Sequence, residues 1–194
     1  MFEYKFELLL QDAPNLVDVD LEFSRREGFC FAAKLVRGAY MEQERARALE
    51  LEYGDPIHDS YDDTNECYND LITTILQEAK DNKANLMVAS HNEHSVRHTI
   101  EVMKHLGIQP DDNNVFFGQL FGMCDVITYA LGSAGYAAYK YVPYGPVEEV
   151  MPFLSRRAME NGSLMKGVVK ERNMLWSELM RRRRDGELNH DPLS

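Results

Sequence analysis

Residues 28–40 read Gly28-Phe29-Cys30-Phe31-Ala32-Ala33-Lys34-Leu35-Val36-Arg37-Gly38-Ala39-Tyr40. A breaker precedes a short apolar run over 29–36, and a Gly-Ala pair follows it. Runs this short and this apolar suit parallel strands buried on both faces. Three more follow, over 85–89, 114–117 and 137–142. Helical patterns lie between them. Tyr68, Leu71, Ile72, Ile75, Leu76 and Ala79 fall at i, i+3, i+4, i+7, i+8 and i+11, a single stripe. Val96, Ile100 and Met103 continue the theme up to Gly107, and a last helix is expected over 164–184. The stretch 54–63, with Pro56 and several polar residues, reads as a surface loop. Alternating strands and helices imply a parallel sheet, either open and doubly wound or closed as a barrel. A full eightfold barrel usually needs ~250 residues. This chain has 194 and about four and a half strand–helix units, so either the sheet is open or half a barrel is absent.

Composition narrows the partners. Thirty-two acidic against 21 basic residues give a formal charge of −11, which argues against nucleic acid, since phosphate binding needs a basic face. The one basic run, Arg181 to Arg184, suits a helix end, where cations meet exposed carbonyls. A membrane-surface role for it is the minority reading. Cys30, Cys67 and Cys124 are scattered and lack metal or disulfide spacing, which fits a reducing compartment. No apolar run approaches the ~20 residues of a membrane helix. Met1-Phe2-Glu3-Tyr4 resembles neither a presequence nor a secretory signal, so no targeting segment is expected in this chain.

Parallel barrels place chemistry at the C-terminal strand ends. Lys34 shares a face with Ala32 and Val36; a buried ammonium needs an anion, whereas an edge lysine reaches solvent. Gly38 and Ala39 allow close approach of a ligand, or simply turn the chain into a helix. The next strand ends in Ser90-His91-Asn92-Glu93. Ser90 and Glu93 have capping-box spacing, while His91 and Asn92 could hold phosphate or a planar ring at a helix N-terminus. His94 and His98 are spaced i, i+4, but with no HExxH frame they read as a surface pair. Gly118-Gln119-Leu120-Phe121-Gly122 closes the third strand and Tyr139-Lys140-Tyr141-Val142-Pro143-Tyr144-Gly145 the fourth. Pro146 with Glu148 and Glu149 opens a helix favourably. Arg156-Arg157 on that helix are solvated charge, or a fork for a carboxylate.

In this order, Lys34 to Tyr40, Ser90-His91-Asn92, Gln119 to Met123 and Arg156-Arg157 through Glu160-Asn161 resemble the proline dehydrogenase family, most of all its animal mitochondrial members. The likeness runs from about Asp12 to Arg184. It implies the C-terminal part of a (β/α)8 TIM-type barrel, about four βα units plus a C-terminal helix, over 1–186, with a tail over 187–194. It also implies FAD-dependent oxidation of L-proline to 1-pyrroline-5-carboxylate, with hydride passing to the flavin N5 and electrons then to a quinone. By the same resemblance Lys34, Arg37, Gly38, Ala39, Ser90, His91 and Asn92 would touch FAD, with Lys34 near the N5 edge. Arg156 and Arg157 would pair with the proline carboxylate; Tyr40, Leu120 and Tyr141 would wall the ring; Glu160 would orient the arginines or the cofactor. Relatives that prefer hydroxyproline tend to carry serine where this chain has Tyr141. A mitochondrial setting on the matrix side of the inner membrane, with peripheral membrane association, follows from the same likeness. No metal is implied.

The chemistry of the residues is compatible. A lysine suits the negative charge that hydride transfer leaves on a flavin, and a clamped carboxylate converts binding into orientation. Geometry adds a condition. A helix running straight down the wall from Pro146 would leave Arg156 ~15 Å below the mouth, at 1.5 Å per residue. The helix must therefore cross the mouth, with Pro152 a place to kink or restart, and 164–184 must cover the wall. The chain departs from the family at 2–10, where Phe6-Glu7 stands in place of a Tyr-Gln pair, and the first half of the barrel is lacking. Four or five strands cannot close a barrel, so the chain by itself is expected to retain flavin poorly. Two other classes remain: a non-catalytic form that acts through its sheet edges, and a metal-dependent hydrolase using His91 and His94, which lacks a carboxylate ligand frame.

Overall fold

Five parallel strands stand side by side in the order in which the chain makes them. They are β1 (Tyr4–Glu7), β2 (Phe31–Val36), β3 (Ala84–Ala89), β4 (Val115–Leu120) and β5 (Ala137–Tyr141). The computed structural model describes residues 4–7, 11–37, 41–160 and 165–186. The helices are α1 (Ala13–Glu27), α2 (Met41–Glu50), α3 (Tyr61–Ala79), α4 (Glu93–Leu106), α5 (Asp125–Ser133), α6 (Val147–Glu160) and α7 (Met165–Asp185). A doubly wound sheet reverses its strand order at a switch point. Here the order never reverses, so the sheet is an arc of a barrel wall, and the open alternative is excluded.

The two faces of the sheet are unlike. Phe31, Ala33 and Leu35 on β2, Leu86 and Val88 on β3, and Val115 and Phe117 on β4 are buried in one core. Val17 and Leu21 of α1, the Tyr68–Leu76 stripe of α3, and Val96 and Met103 of α4 cover them. Each fully buried Leu, Ile or Phe contributes roughly 2 kcal/mol of transfer free energy, enough to fix which face each strand turns to the helices. The alternate residues Ala32, Lys34, Val36, Met87, Ala89, Phe116 and Gly118 are only half-buried. That is the face a barrel turns to its axis.

Several boundaries differ from the expectation. β2 starts at Phe31, because Gly28 takes a left-handed conformation (φ 73°) and both its N–H and that of Phe29 close α1 on the Ser24 carbonyl. β4 runs on to Leu120, since Gly118, Gln119 and Leu120 keep pairing with Tyr139, Lys140 and Tyr141. The loop after Gly54 ends earlier than expected, where the Ser60 hydroxyl caps α3 by accepting the Asp63 N–H at 3.1 Å. Pro152 does not restart the helix. α6 runs through it, forgoing only a bond to the carbonyl of the exposed Glu148. β1 lies within the 2–10 stretch and pairs along β2. The tail 187–194 lies outside the described residues.

The unlike faces give an expected outcome. Leu86→Ala removes a fully buried side chain and should cost about 3 kcal/mol, whereas Met87→Ala, one residue on, should cost less than about 1 kcal/mol. Urea denaturation of the two variants measures the difference.

Candidate active site

The C-terminal ends of β2 to β5 form a rim, and most of the expected residues lie along it. Lys34 sits on the half-buried face, and among the described residues no carboxylate pairs with it. The anionic partner expected for it is thus not found among the described residues, and β2 is an interior strand, not an edge. Past the end of β2, the Arg37 guanidinium lies over the rings of Tyr61 and Tyr68, at 5.3 and 5.8 Å. It donates to Asn65 Oδ1, and to the Tyr61 hydroxyl at 3.2 Å. Tyr68, fully buried, donates to the Leu35 carbonyl at 3.1 Å; burial pushes its phenol above the usual range, against the opposing pulls of Arg37 and Ser90. Gly38, Ala39 and Tyr40 lie outside the described residues.

At the end of β3, the residue that caps the helix is Asn92, and the capping-box expectation for Ser90 and Glu93 is corrected. Asn92 Oδ1 accepts the His94 and Ser95 N–H groups at 2.8 and 3.2 Å, while its Nδ2 donates to Tyr61. Glu93 pairs instead with Arg97 at 2.8 Å, one turn on. Ser90 is buried and its hydroxyl accepts the Asn92 N–H at 3.1 Å. With two first-turn amides capped by Asn92, this N-terminus is a poor anion site. His91 faces the other way. Its Nε2 accepts the Leu120 N–H at 3.0 Å, so the ring proton sits on Nδ1. Burial, then the charge of Lys140, lowers its pKa to about 4.

The ends of β4 and β5 are tied together. Phe121 N–H donates to the Tyr141 carbonyl at 3.0 Å. Buried Gln119 points to the helices and bonds the Thr128 hydroxyl at 2.5 Å, while Leu120 is half-buried on the rim. Tyr141 rests against Phe153 of α6, ring centroids 5.7 Å apart, and the Arg157 guanidinium lies over Phe153 at 5.4 Å. Phe153 of α6 thus lies back against the end of β5, and α7 packs beside α5. Arg157 is half-buried at that point and Arg156 is exposed. The Glu160 side chain lies outside the described residues.

The residues at hand fit a flat cofactor. Val36, Ala89, Gly118 and Tyr139 stand opposite one another across four strands. The two central ones are the smallest available, and a Cβ on Gly118 would meet Met87 Sδ at 3.4 Å, so the centre of the bowl is floored by backbone. A flavin ring laid there would have Lys34 and the neutral His91 within its surroundings. Among the described residues no three His, Cys, Asp or Glu side chains are grouped as metal ligands. Sequence reading missed Tyr61, Asn65 and Lys140. Strand alternation alone, which sets Lys140 opposite Gln119 on the helix side, could have found the last.

The proline dehydrogenase family profile matches residues 8–170. The chain belongs to the proline dehydrogenase family. It is 57% identical over 188 residues to human "Proline dehydrogenase 1, mitochondrial", covering 96% of this chain and 31% of that protein. The protein of that name in Drosophila melanogaster is 48% identical, over 96% of this chain and 29% of its own length. Human "Hydroxyproline dehydrogenase" is 44% identical over 91% of this chain and 39% of its own. This chain thus spans about a third of the length of the relatives it matches. Among solved structures, proline utilization A from Bdellovibrio bacteriovorus, inactivated by N-propargylglycine, superposes with a TM-score of 0.75 at 26% identity, covering 82% of this chain and 16% of that one. The fold is that of the family's barrel, present here in part.

His91 makes stability depend on pH. From its ordinary 6.5 down to about 4, the unfolded chain binds a proton that the folded chain refuses. Stability is thus fullest above pH 6.5 and falls as pH drops towards 4. At pH 5 the loss is about 2 kcal/mol from this group, at 1.36 kcal/mol per unit. Urea midpoints at pH 7.5 and 5 measure it, and His91→Gln, whose amide oxygen can still accept the Leu120 N–H, should flatten the dependence.

Proposed function

We propose that this chain supplies the rim of a flavin-dependent site that oxidises L-proline to 1-pyrroline-5-carboxylate. The observation that carries the reading is the Tyr141–Phe153–Arg157 stack, which brings a guanidinium from α6 back to the strand ends beside the backbone-floored bowl. Arg156 and Arg157 are the fork for the substrate carboxylate, and Leu120, Tyr141 and Tyr40 are the wall that keeps water from the ring. Bound FAD supplies a hydride acceptor. Lys34 offers the positive charge that favours the reduced state, and Arg37, Gly38, Ala39, Ser90, His91, Asn92 and Glu160 complete the cofactor's surroundings. Ser90 and Asn92 act from behind, by holding the β3 end and the start of α4. Anchoring the carboxylate fixes the reacting carbon and lowers the entropy cost of the transition state.

The names of the relatives support a mitochondrial setting. A quinone as final acceptor and peripheral attachment on the matrix side of the inner membrane complete the proposal. The described residues hold no helix long and apolar enough to span a membrane. Proline is favoured over hydroxyproline because Tyr141 fills the volume that a ring hydroxyl would need. A second reading, in which the chain acts by pairing with a partner, is favoured by the fact that β1 and β5 each have a neighbour on one side only.

Two experiments test this. The first exchanges this chain for the segment it matches in the human relative. The chimera should purify with oxidised flavin that proline bleaches, while the chain alone retains little. A chimera that binds no flavin favours the partner reading. In the active chimera, Arg156→Met and Arg157→Met should each raise KM for proline at least about thirtyfold, since removing one partner of a buried charge pair costs about 2–5 kcal/mol. The second compares kcat/KM on proline and hydroxyproline. Tyr141→Ser should shift the ratio towards hydroxyproline, whereas a mere packing defect depresses both alike.

A further inference from the structure

Lys140 carries no binding role in the site as read so far, yet its ammonium contacts Leu120, Met123 and Asp125 at the rim. It lies on β5 opposite Gln119 and turns to the helix side of the sheet. Its ammonium donates to the Met123 carbonyl and to the Leu120 carbonyl at 3.5 Å, and pairs with Asp125 at 2.8 Å. The lysine side chain is 20% exposed and Asp125 37%, so the contact is shielded in part from solvent. Asp125 is the first residue of α5, where a carboxylate is already favoured.

The segment so gripped needs holding. Between β4 and α5, Gly122 (φ 77°) and Cys124 (φ 54°) both take left-handed backbone, and for cysteine that costs energy. The turn is closed by Met123 N–H on the Leu120 carbonyl at 3.2 Å and by Cys124 Sγ on the His91 carbonyl at 3.3 Å. Leu120 is therefore fixed from both ends of its backbone: its N–H by His91, its C=O by Met123 and Lys140.

We propose that Lys140 is a positioning residue, which clips the β4–α5 turn to β5 and so fixes Leu120 and the ring of His91 on the rim. Its charge acts on His91 as well. Protonating the imidazole would set a second cation near the first and would remove the acceptor for the Leu120 N–H. The charge that acts on His91 is that of Lys140 on β5, and Asp125 of α5 pairs with that lysine. His91 thus stays a neutral ring with Nδ1–H left to donate. This deepens the flavin reading and rests on it for its catalytic meaning, but not for its test.

The test uses the full 194-residue chain and two signals read by NMR: the titration of the His91 ring and the hydrogen exchange of the Leu120 amide. In Lys140→Met the His91 midpoint should rise towards its ordinary value, and the Leu120 amide should exchange at least about tenfold faster. Lys140→Arg should restore the low midpoint. Asp125→Asn, which leaves the lysine charge unbalanced, should not raise the midpoint but should speed Leu120 exchange. A folded Lys140→Met with an unchanged midpoint or unchanged exchange overturns the proposal. Should that variant fail to fold, unaltered Leu120 exchange in Asp125→Asn overturns it instead. Shifts in both signals together with a chimera that proline does not bleach would uphold the clip and sink the flavin reading.

Discussion

The two-residue period of β2, β3 and β4 is the constraint on which everything else depends. One set of side chains meets α1, α3 and α4 in a continuous core, and the intervening set is left for the barrel axis. Because the strands are parallel and adjacent in sequence order, their C-terminal ends all arrive on one side. Shift any strand by one residue and Leu86 would trade places with Met87, and Gln119 with Leu120. The rim is a by-product of burial on the opposite face.

Much of this was legible in the sequence. The strands β2 to β5 announce themselves as short apolar runs, and the α3 stripe is read correctly from Tyr68 to Ala79. What failed to show has physical reasons. α2 buries only Ala48, so it has no stripe to see. After Asp125, α5 continues with Val126-Ile127-Thr128, β-branched residues that argue locally for a strand. At the end of β3, Ser90 and Asn92 are both good caps, and only the backbone decides between them. Asn92 takes the extended conformation of a cap (ψ 115°), while Ser90 is buried behind it.

The site divides in the same way. The rise of a helix and the position of two arginines require α6 to lie across the mouth, and the ring contact between Tyr141 and Phe153 sets α6 against the end of β5. The residues between β2 and α2 that the resemblance names, Gly38 to Tyr40, stay as expectations. Lys140 and Tyr61 escaped notice because each acts on backbone or on another polar group, not towards the axis. Tyr61 joins Arg37 and Asn92 through one hydroxyl, linking the ends of β2 and β3 without touching the bowl. Motifs advertise residues that face a ligand. Those that hold them leave a weaker trace.

Each tie along the rim joins neighbouring strands: Arg37 and Asn92 through Tyr61, His91 with Leu120, Lys140 with Leu120. None of these ties spans the bowl. The rim is therefore a chain of links, each between adjacent strands. A pocket made this way can be lengthened, shortened or recombined at a strand boundary with its remaining links intact.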